Sequence, residues 1–539
     1  MNRPVPPGQV SVEQSIGIAF EFLRAGRLAD ADALARRLRE VAPSVIVSLL
    51  SCDVAERRSG PGAALPFIED SLQRYGARGD LLLRRAQLLV PLMRRPEAVL
   101  GALDAARASP ADVRILQGAA AIVVQHGDPA EARPLLQRAC ELLPDHPGLL
   151  HDLALCHFYL NDMDEADRLL GRVLQLAPGH GNAMHVRAQL RTQTAASNHV
   201  ESLRRALART DLPTHDRILG GFALAKELED LGEDEAAFAA LDEAARLKRG
   251  TLQYDVQDEV EAMRDMIATY NATALAKLPA GWGDAAPIFV VGLPRTGTTL
   301  VERILGMDPD TRSIGEAMEF PLKMGQQAEA TRVARNVDDE TLLQASLHMD
   351  FAALGRAYLD AVQPMARGRS RTVDKLPFNF LYCGLIHQAL PNARIVHLTR
   401  DPLDTCYAIY KAYFINLYHF SYRLEEIAEY FVAYRRTMDH WRTVLPGVIH
   451  DVSYERLVAD PEGESRRLLE FCGLPWHPGV LDFHRSSAAS TTASSAQVRQ
   501  PIYRSSVARW RRVARQMQPV LARLQAAGIV DAEGNPVAP

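Results

Sequence analysis

The first half of the chain repeats apolar residues at helical spacing. Between about residues 10 and 250 they recur every three or four positions, and runs of β-branched residues are nearly absent. From Pro287 short apolar runs alternate with helical stretches, which is typical of a parallel sheet covered by helices. The pattern predicts an all-α region at 10–270 and a three-layer α/β domain with a central parallel sheet at 282–539. The Pro- and Gly-containing stretch 272–287 marks the boundary.

A unit of 34 residues recurs in the helical half. GDPAEA at 127–132 is followed 34 residues later by NDMDEA at 161–166. An earlier copy, GRLADA at 26–31, has its proline at the same offset of twelve, and a weaker copy is GEDEAA at 232–237. A small residue allows the chain to turn, alanine allows close helix packing, and a later proline ends the second helix. This period and these positions resemble the tetratricopeptide repeat family, strongly over 115–185 and loosely elsewhere.

The resemblance implies a stack of helix pairs with a concave surface. We expect this array to dock a protein or peptide. Alternatively, the array is a rigid spacer, or it is a dimerisation arm, in which case the protein would be a homodimer.

The most informative motif follows the first strand-like run of the second half. PIFVV at 287–291 predicts a buried strand, GLPRTGTT at 292–299 a glycine-bounded loop, and LVERIL at 300–305 a helix. Strand, loop and helix N-terminus together form a cradle for an anion. The spacing fits a P-loop, but Thr298 stands where nucleotide triphosphatases carry lysine, and the positive charge is at Arg295. The loop therefore argues against ATP or GTP hydrolysis.

PRTGTT at 294–299 resembles the loop with which the sulfotransferase superfamily binds 3′-phosphoadenosine 5′-phosphosulfate (PAPS). Together with the repeats, the chain resembles bacterial tetratricopeptide-repeat sulfotransferases and, more distantly, the tyrosylprotein sulfotransferases. The resemblance implies a PAPS-dependent enzyme that needs no metal. It also implies that the donor nucleotide is held by Arg295, Thr296, Gly297, Thr298 and Thr299.

A second predicted strand is followed by another cationic residue, in addition to Arg295. ARIVHLT at 393–399 is followed by Arg400, and the resemblance assigns this R-D-P arginine to the 3′-phosphate of the donor. The family usually has a serine eight residues later, whereas this chain has Ala408. Losing that hydroxyl costs about 1–2 kcal/mol unless Thr405 or a water replaces it.

A C-terminal stretch, TTASSAQVRQPIY at 491–503, resembles the family loop that covers the nucleotide. The resemblance implies that Ser494, Ser495, Gln497 and Arg499 contact the donor. Trp510, which follows, is expected in the core.

Sulfuryl transfer needs a base at the acceptor and cations at the leaving phosphate. The resemblance makes Glu316 the base, with Glu319 as the weaker alternative. It makes Lys375, in the family's D-K-x-P segment, the cation at the bridging oxygen, assisted by Arg295. His397 is expected to be a buried core histidine, and His387 stays a minor alternative base.

Composition narrows the classes of partner. The net charge is −5 over 539 residues, so general affinity for nucleic acid or acidic membranes is not expected, while a local basic pocket stays open. No apolar run is long enough to span a membrane, and the start has no signal-peptide pattern, so residues 1–10 are expected to be a short disordered leader. Six scattered cysteines without a C-x-x-C, and no cluster of metal ligands, favour the cytoplasm and a metal-free site.

The resulting prediction is a PAPS-dependent sulfotransferase that acts on a hydroxyl acceptor, which the repeats recruit as a protein or peptide. The alternatives are a catalytically silent scaffold built on a sulfotransferase-like domain, which Ala408 favours, and a P-loop kinase or NTPase, which Thr298 disfavours.

Overall fold

The computed structural model describes residues 11–337, 339–415, 417–485, 502 and 506–537. The chain forms two compact units, Met1–Ala177 and Pro178–Pro539. The predicted leader lies outside the described residues. Among those that are described, no helix combines the length and the apolar character needed to cross a membrane.

The described part of the first unit consists of helices that pack in sequence-adjacent pairs. Their bounds are α1 Val12–Arg24, α2 Leu28–Val41, α3 Val45–Ser59, α4 Pro61–Tyr75, α5 Gly79–Leu89, α6 Arg95–Ala108, α7 Val113–His126, α8 Pro129–Leu142, α9 Pro147–Tyr159 and α10 Met163–Leu176.

The predicted repeat signals lie at the turns and contacts of these pairs. Asn161 adopts a left-handed φ of 67° in the turn before α10, and Asp162 caps that helix by accepting from the Glu165 N–H. The alanines Ala132 and Ala166 are fully buried, as close helix packing requires. The predicted helix-pair repeat is therefore confirmed.

The second unit opens with more helices and continues into a sheet. The first helices are α11 Gly181–Gln189, α12 Val200–Leu207, α13 Thr214–Asp230, α14 Asp234–Arg249, α15 Val256–Thr269 and α16 Ala272–Leu275. The strands are β1 Ile288–Gly292, β2 Thr311–Gly315, β3 Arg371–Asp374, β4 Arg394–Thr399 and β5 Ile449–Ser453.

The described strands form one five-stranded sheet in the order β2-β3-β1-β4-β5, with every pairing parallel. Strand β1 is buried on both faces: Ile288 and Val290 join one apolar cluster, and Phe289 and Val291 join another. The predicted fold class, a helical repeat region followed by a three-layer α/β domain, is confirmed. Because β1 has β3 on one side and β4 on the other, the carboxyl ends of these strands form the crevice in which such sheets bind ligands.

Helices cover both faces of the sheet. The described α-helices after β1 are α17 Thr298–Leu305, α18 Glu319–Arg335, α19 Leu342–Ser346, α20 Phe351–Ala366, α21 Cys383–Ala389, α22 Pro402–Tyr410, α23 Leu424–Val444, α24 Tyr454–Ala459, α25 Pro461–Cys472 and α26 Gln518–Ala526. Among them, α20 packs against β2 and β3, and α25 packs against β4 and β5.

The helices before the sheet share a core with it. Phe222 on α13 and Phe238 on α14 belong to the same apolar cluster as Tyr407 and Tyr410 on α22. The hydroxyl of Tyr410 donates to Asp242 on α14 at 2.7 Å. The second compact unit thus includes helices on both sides of the predicted boundary at 272–287, and the independence of 10–270 and 282–539 as domains stays a prediction.

We expect one carboxylate of α13, that of Glu229, to contribute much of the stability of the contact between these helices and the end of α22. Glu229 is mostly buried and accepts from Lys411 at 2.7 and 3.0 Å. Replacing Glu229 with alanine leaves the lysine without its counter-ion, so we expect the free energy of unfolding to fall by about 3 kcal/mol in urea denaturation. The matched control is Asp234→Ala, which removes a more exposed bridge to Arg512 and should cost less than about 1 kcal/mol. Equal losses for the two variants would contradict this assignment.

Candidate active site

The loop between β1 and α17 has the backbone of an anion cradle. Gly292, Arg295 and Gly297 have φ values of 148°, 67° and 106°. A Cβ at Gly297 would lie 2.8 Å from the ring of Tyr454, so only glycine fits. Left-handed residues placed between right-handed ones turn successive N–H groups to one side, and the N-terminus of α17 adds partial positive charge. The loop therefore suits a phosphate or phosphosulfate.

The side chains of the loop have different tasks. The Thr296 hydroxyl donates to the backbone oxygen of Leu293 at 2.8 Å, so this residue holds the loop in shape. Thr298 and Thr299 are buried in the first turn of α17. Arg295, half-buried at the turn of the loop, is its cation.

Arg400 joins the loop to the C-terminal segment. It follows β4, and its guanidinium donates to the backbone oxygens of Arg295 at 2.9 Å and Ser506 at 2.6 Å. The guanidinium also lies over the Tyr454 ring, 4.9 Å from the centroid. Its Nε is buried and has no hydrogen-bond partner among the described residues. A cation with an unused donor beside the cradle suits an anionic ligand. The assignment of Arg400 to the donor nucleotide stays a prediction.

The predicted base and the predicted bridging cation are hydrogen-bonded to each other. Lys375 follows β3 and Glu316 follows β2; Nζ of Lys375 donates to Oε1 of Glu316 at 2.5 Å. Lys375 is 0% exposed, whereas the Glu316 side chain is 37% exposed. A second carboxylate, Glu302 on α17, lies 3.7 Å from the lysine. Burial by itself lowers the pKa of Lys375, but the two carboxylates outweigh it and the pKa is raised.

The weaker base candidate occupies a different environment. Glu319 begins α18 and is only 2% exposed. It lies close enough to raise the pKa of Asp374, which burial already raises well above its usual range and which accepts from the Tyr358 hydroxyl at 3.0 Å. Glu316 is therefore the more accessible of the two glutamates to an acceptor.

His397 lies in the core, as the sequence predicts, and the role of His387 stays open. His397 is buried in β4, with Nδ1 2.5 Å from Asp451 and Nε2 2.5 Å from the hydroxyl of Tyr434. Arg442 donates to both oxygens of Asp451 at 2.8 Å, which completes a satisfied core network and confirms His397 as a core histidine. His387 is half-buried on α21, and burial lowers its pKa.

The departure from the family pattern is not compensated by Thr405. Ala408 lies on α22, and the Thr405 hydroxyl donates to the backbone oxygen of Asp401 at 2.8 Å within the same helix. Thr405 is also buried. Its hydroxyl is committed to the helix backbone.

The predicted nucleotide-covering residues Ser494, Ser495, Gln497 and Arg499 lie outside the described residues. The chain that follows them is held by Asp404 on α22, which accepts from the Trp510 N–H at 2.9 Å and the Ala508 N–H at 2.5 Å. Trp510 is buried in the core, as predicted.

The sequence assigns three residues of the site no role in binding or catalysis. Glu302 contacts Lys375, Tyr454 packs on Gly297 and Arg400, and Asp404 holds the C-terminal segment. Tyr454 lies in DVSYERLV at 451–458, which resembles a family segment interpreted as structural. Glu302 carries a signal of another kind, because a carboxylate inside the apolar run LVERIL must find a partner when buried. Within the described ranges, no three His, Cys, Asp or Glu side chains are grouped to hold a metal ion.

Comparisons with known proteins agree with this geometry. Residues 287–478 match the family model described as "Sulfotransferase family", and residues 123–190 match the model of the tetratricopeptide repeat. The parallel sheet and its phosphate loop thus form a sulfotransferase-family domain. The chain thus combines a segment that matches the sulfotransferase family with a segment that matches the tetratricopeptide repeat.

Several relatives are similar over part of the chain. An uncharacterized protein of Aquifex aeolicus is 32% identical over 411 residues, 75% of this chain and 54% of the relative. A protein-tyrosine sulfotransferase of Drosophila melanogaster is 24% identical over 41% of this chain and 46% of its own length. The chain thus spans about half the length of these two relatives. An omega-hydroxy-beta-dihydromenaquinone-9 sulfotransferase of Mycobacterium tuberculosis is 27% identical over 20% of this chain and 30% of its own length.

Among solved structures, the sulfotransferase domain of a Synechococcus olefin synthase is 19% identical and covers 47% of this chain and 96% of its own, with a TM-score of 0.35.

Proposed function

We propose that this protein transfers a sulfuryl group from PAPS to a hydroxyl acceptor. The observation that carries the proposal is the hydrogen-bonded pair of Glu316 and Lys375, 2.5 Å apart. Glu302 links this pair to the helix that begins at the phosphate loop. A carboxylate and a buried cation beside an anion cradle are the groups that in-line transfer requires.

The residues at the carboxyl edge of the sheet fit the donor. Arg295, the N–H groups of the loop, and Thr298 with Thr299 would hold the 5′-phosphosulfate. The unused Nε of Arg400 would serve the 3′-phosphate. When bound, the nucleotide supplies an electrophilic sulfur and a phosphate leaving group.

Glu316 and Lys375 then have different roles in the proposed transfer. Glu316 is partly exposed, so its carboxylate can reach the acceptor and take the hydroxyl proton. Lys375 is a buried cation, and with Arg295 it stabilises the negative charge that grows on the leaving phosphate. None of these steps calls for a metal ion.

The acceptor is proposed to be a hydroxyl on a protein or peptide that the helical array recruits in the cytoplasm. Two of the relatives are named for transfer to protein tyrosine and to a hydroxylated dihydromenaquinone, and both acceptors present a hydroxyl. The repeats provide a surface of the kind that binds peptides.

The second candidate function is a nucleotide-binding scaffold without catalysis. Ala408 favours it, because the usual serine is missing and the Thr405 hydroxyl is committed to the helix backbone. The Glu316–Lys375 pair argues against it, since a silent site has no need for a buried cation held at a carboxylate.

Donor binding is tested by calorimetric titration with the desulfated product, 3′-phosphoadenosine 5′-phosphate (PAP). We expect micromolar affinity for the wild type and a loss of about 100-fold in Arg295→Ala, because a charge-assisted contact to phosphate is removed. Arg303→Ala is the matched control, since Arg303 lies on α17 outside the loop, and it should bind within about threefold of wild type. Wild-type protein that is folded and does not bind PAP would contradict the proposal, and tighter binding of ATP than of PAP would assign the loop to another nucleotide.

A further inference from the structure

A second buried carboxylate contacts the proposed catalytic lysine. We infer that Glu302 is a positioning residue that keeps Lys375 charged and in place while Glu316 takes up the acceptor proton. The inference rests on the proposed sulfuryl transfer and adds a residue to it.

Glu302 is fixed from two sides. It lies on α17, four residues after Thr298, so the helix that begins at the phosphate loop sets its position. One carboxylate oxygen accepts a hydrogen bond from the hydroxyl of Ser313 on β2, and the other lies 3.7 Å from the Lys375 Nζ. The Ser313 hydroxyl oxygen in turn accepts from the Gly315 N–H at 3.1 Å. Glu302 therefore connects the loop helix, strand β2 and the lysine.

The two carboxylates around Lys375 are not equivalent. Glu316 is 37% exposed, whereas Glu302 is buried and one of its oxygens is occupied by Ser313. Only Glu316 can meet an acceptor. Glu302 is the carboxylate that stays with the lysine.

The difference in exposure between Glu316 and Glu302 becomes important in the transfer step, when a proton and negative charge move. In the transfer step, the acceptor oxygen forms a bond to sulfur and its proton passes to Glu316. The bond from sulfur to the bridging oxygen breaks, and the electron pair stays on the phosphate. Protonation of Glu316 removes one of the two negative charges that hold Lys375 in its protonated form. The charge of Glu302 remains, so the lysine keeps its proton and can donate to the phosphate oxygen.

Three elements bring charged groups to Lys375. Glu302 comes from α17 and Glu316 from the end of β2, and Asp374, the residue before Lys375, lies on β3. Tyr418 lies near enough to Glu316 for that carboxylate to raise its pKa, which burial has already raised. Burial works to lower the pKa of Lys375, and the carboxylates oppose it. Removing Glu302 should therefore let Lys375 lose its proton at a lower pH.

The test is the pH dependence of PAP binding in the full-length protein, measured by calorimetry between pH 7 and 10. We expect Glu302→Gln to bind PAP within about threefold of wild type at pH 7. At pH 10 it should bind at least about threefold more weakly than wild type, because burial lowers the pKa of Lys375 and only one carboxylate then opposes that effect. Lys411, whose pKa burial lowers, keeps its partner Glu229 in both proteins, so its titration cancels in the comparison.

Three further variants make the result specific. Glu302→Asp keeps the charge and should hold the midpoint within about half a unit of wild type. Ser313→Ala removes the hydrogen bond that anchors Glu302, together with the local bond from the Gly315 N–H, and leaves both carboxylates in place. It should give a smaller shift in the same direction, which tests the inference even if Glu302→Gln does not fold. Glu227→Gln changes another buried carboxylate, which pairs with His199, and should leave the profile unchanged.

An unchanged alkaline midpoint in both Glu302→Gln and Ser313→Ala would overturn the role of Glu302 and leave donor binding intact. Failure of the wild type to bind PAP at every pH would instead overturn the proposed function, and the inference with it.

Discussion

Lys375→Met should lower the rate of sulfuryl transfer by about 100- to 1,000-fold, the range measured when one preorganised donor to developing charge is removed. The lysine is 0% exposed and lies 2.5 Å from Glu316, so no water can take its place without rearrangement. Turnover is measured as formation of PAP from PAPS in the presence of an acceptor. Binding of PAP at pH 7 should weaken less than turnover, because Arg295 and Arg400 still contact the product.

The stability of this variant needs a control, because two carboxylates lose their shared counter-ion. Breaking a buried ion pair costs about 3–5 kcal/mol. Lys375→Arg keeps the charge and should fold as stably as wild type to within about 1.5 kcal/mol, yet remain at least about tenfold slower, since a planar guanidinium cannot replace the compact ammonium. Wild-type turnover in Lys375→Met would remove the lysine from the mechanism.

Glu316→Gln should lower turnover by about 100- to 10,000-fold, the usual contribution of a general base. Glutamine keeps the size of the side chain and can still accept from Lys375, so PAP affinity should change by less than about threefold. The measurement is turnover against acceptor concentration, and the loss should appear in kcat, because the proton moves only during the chemical step.

The matched control for this variant is Glu319→Gln, three residues away. Glu319 is 2% exposed and is placed against Asp374, so its replacement should leave turnover within about threefold of wild type. If Glu319→Gln lost the activity and Glu316→Gln kept it, the base would be reassigned to α18.

Local sequence was sufficient for the features that depend on local backbone. The loop at 292–299 could be predicted because Gly292 and Gly297 hold φ values that favour glycine, and its strand and helix have distinct apolar periods. The turn before α10 could be predicted for the same reason, since Asn161 tolerates the left-handed region.

Contacts made between distant segments were not predictable in this way. The apolar stretch of α13 indicates that this helix is buried, but not that Glu229 meets Lys411 across 182 residues of sequence. Likewise, the approach of Glu302 to Lys375 depends on β3 returning beside β1, which no spacing in the sequence specifies. The spacing of Glu316 and Lys375 in the sequence does not predict their hydrogen bond either, and only the family resemblance placed both residues in one site.

The measurement that tests the central claim most directly is transfer of radiolabelled sulfuryl from PAPS to a panel of hydroxyl acceptors: a phenol, a tyrosine peptide, a serine peptide and a long-chain alcohol. Wild-type protein should label at least one of them, and Lys375→Met and Glu316→Gln should each reduce the label by at least about 100-fold. Folded wild type that binds PAP and labels no acceptor above the level of these two variants would contradict an enzymatic role and favour the nucleotide-binding scaffold.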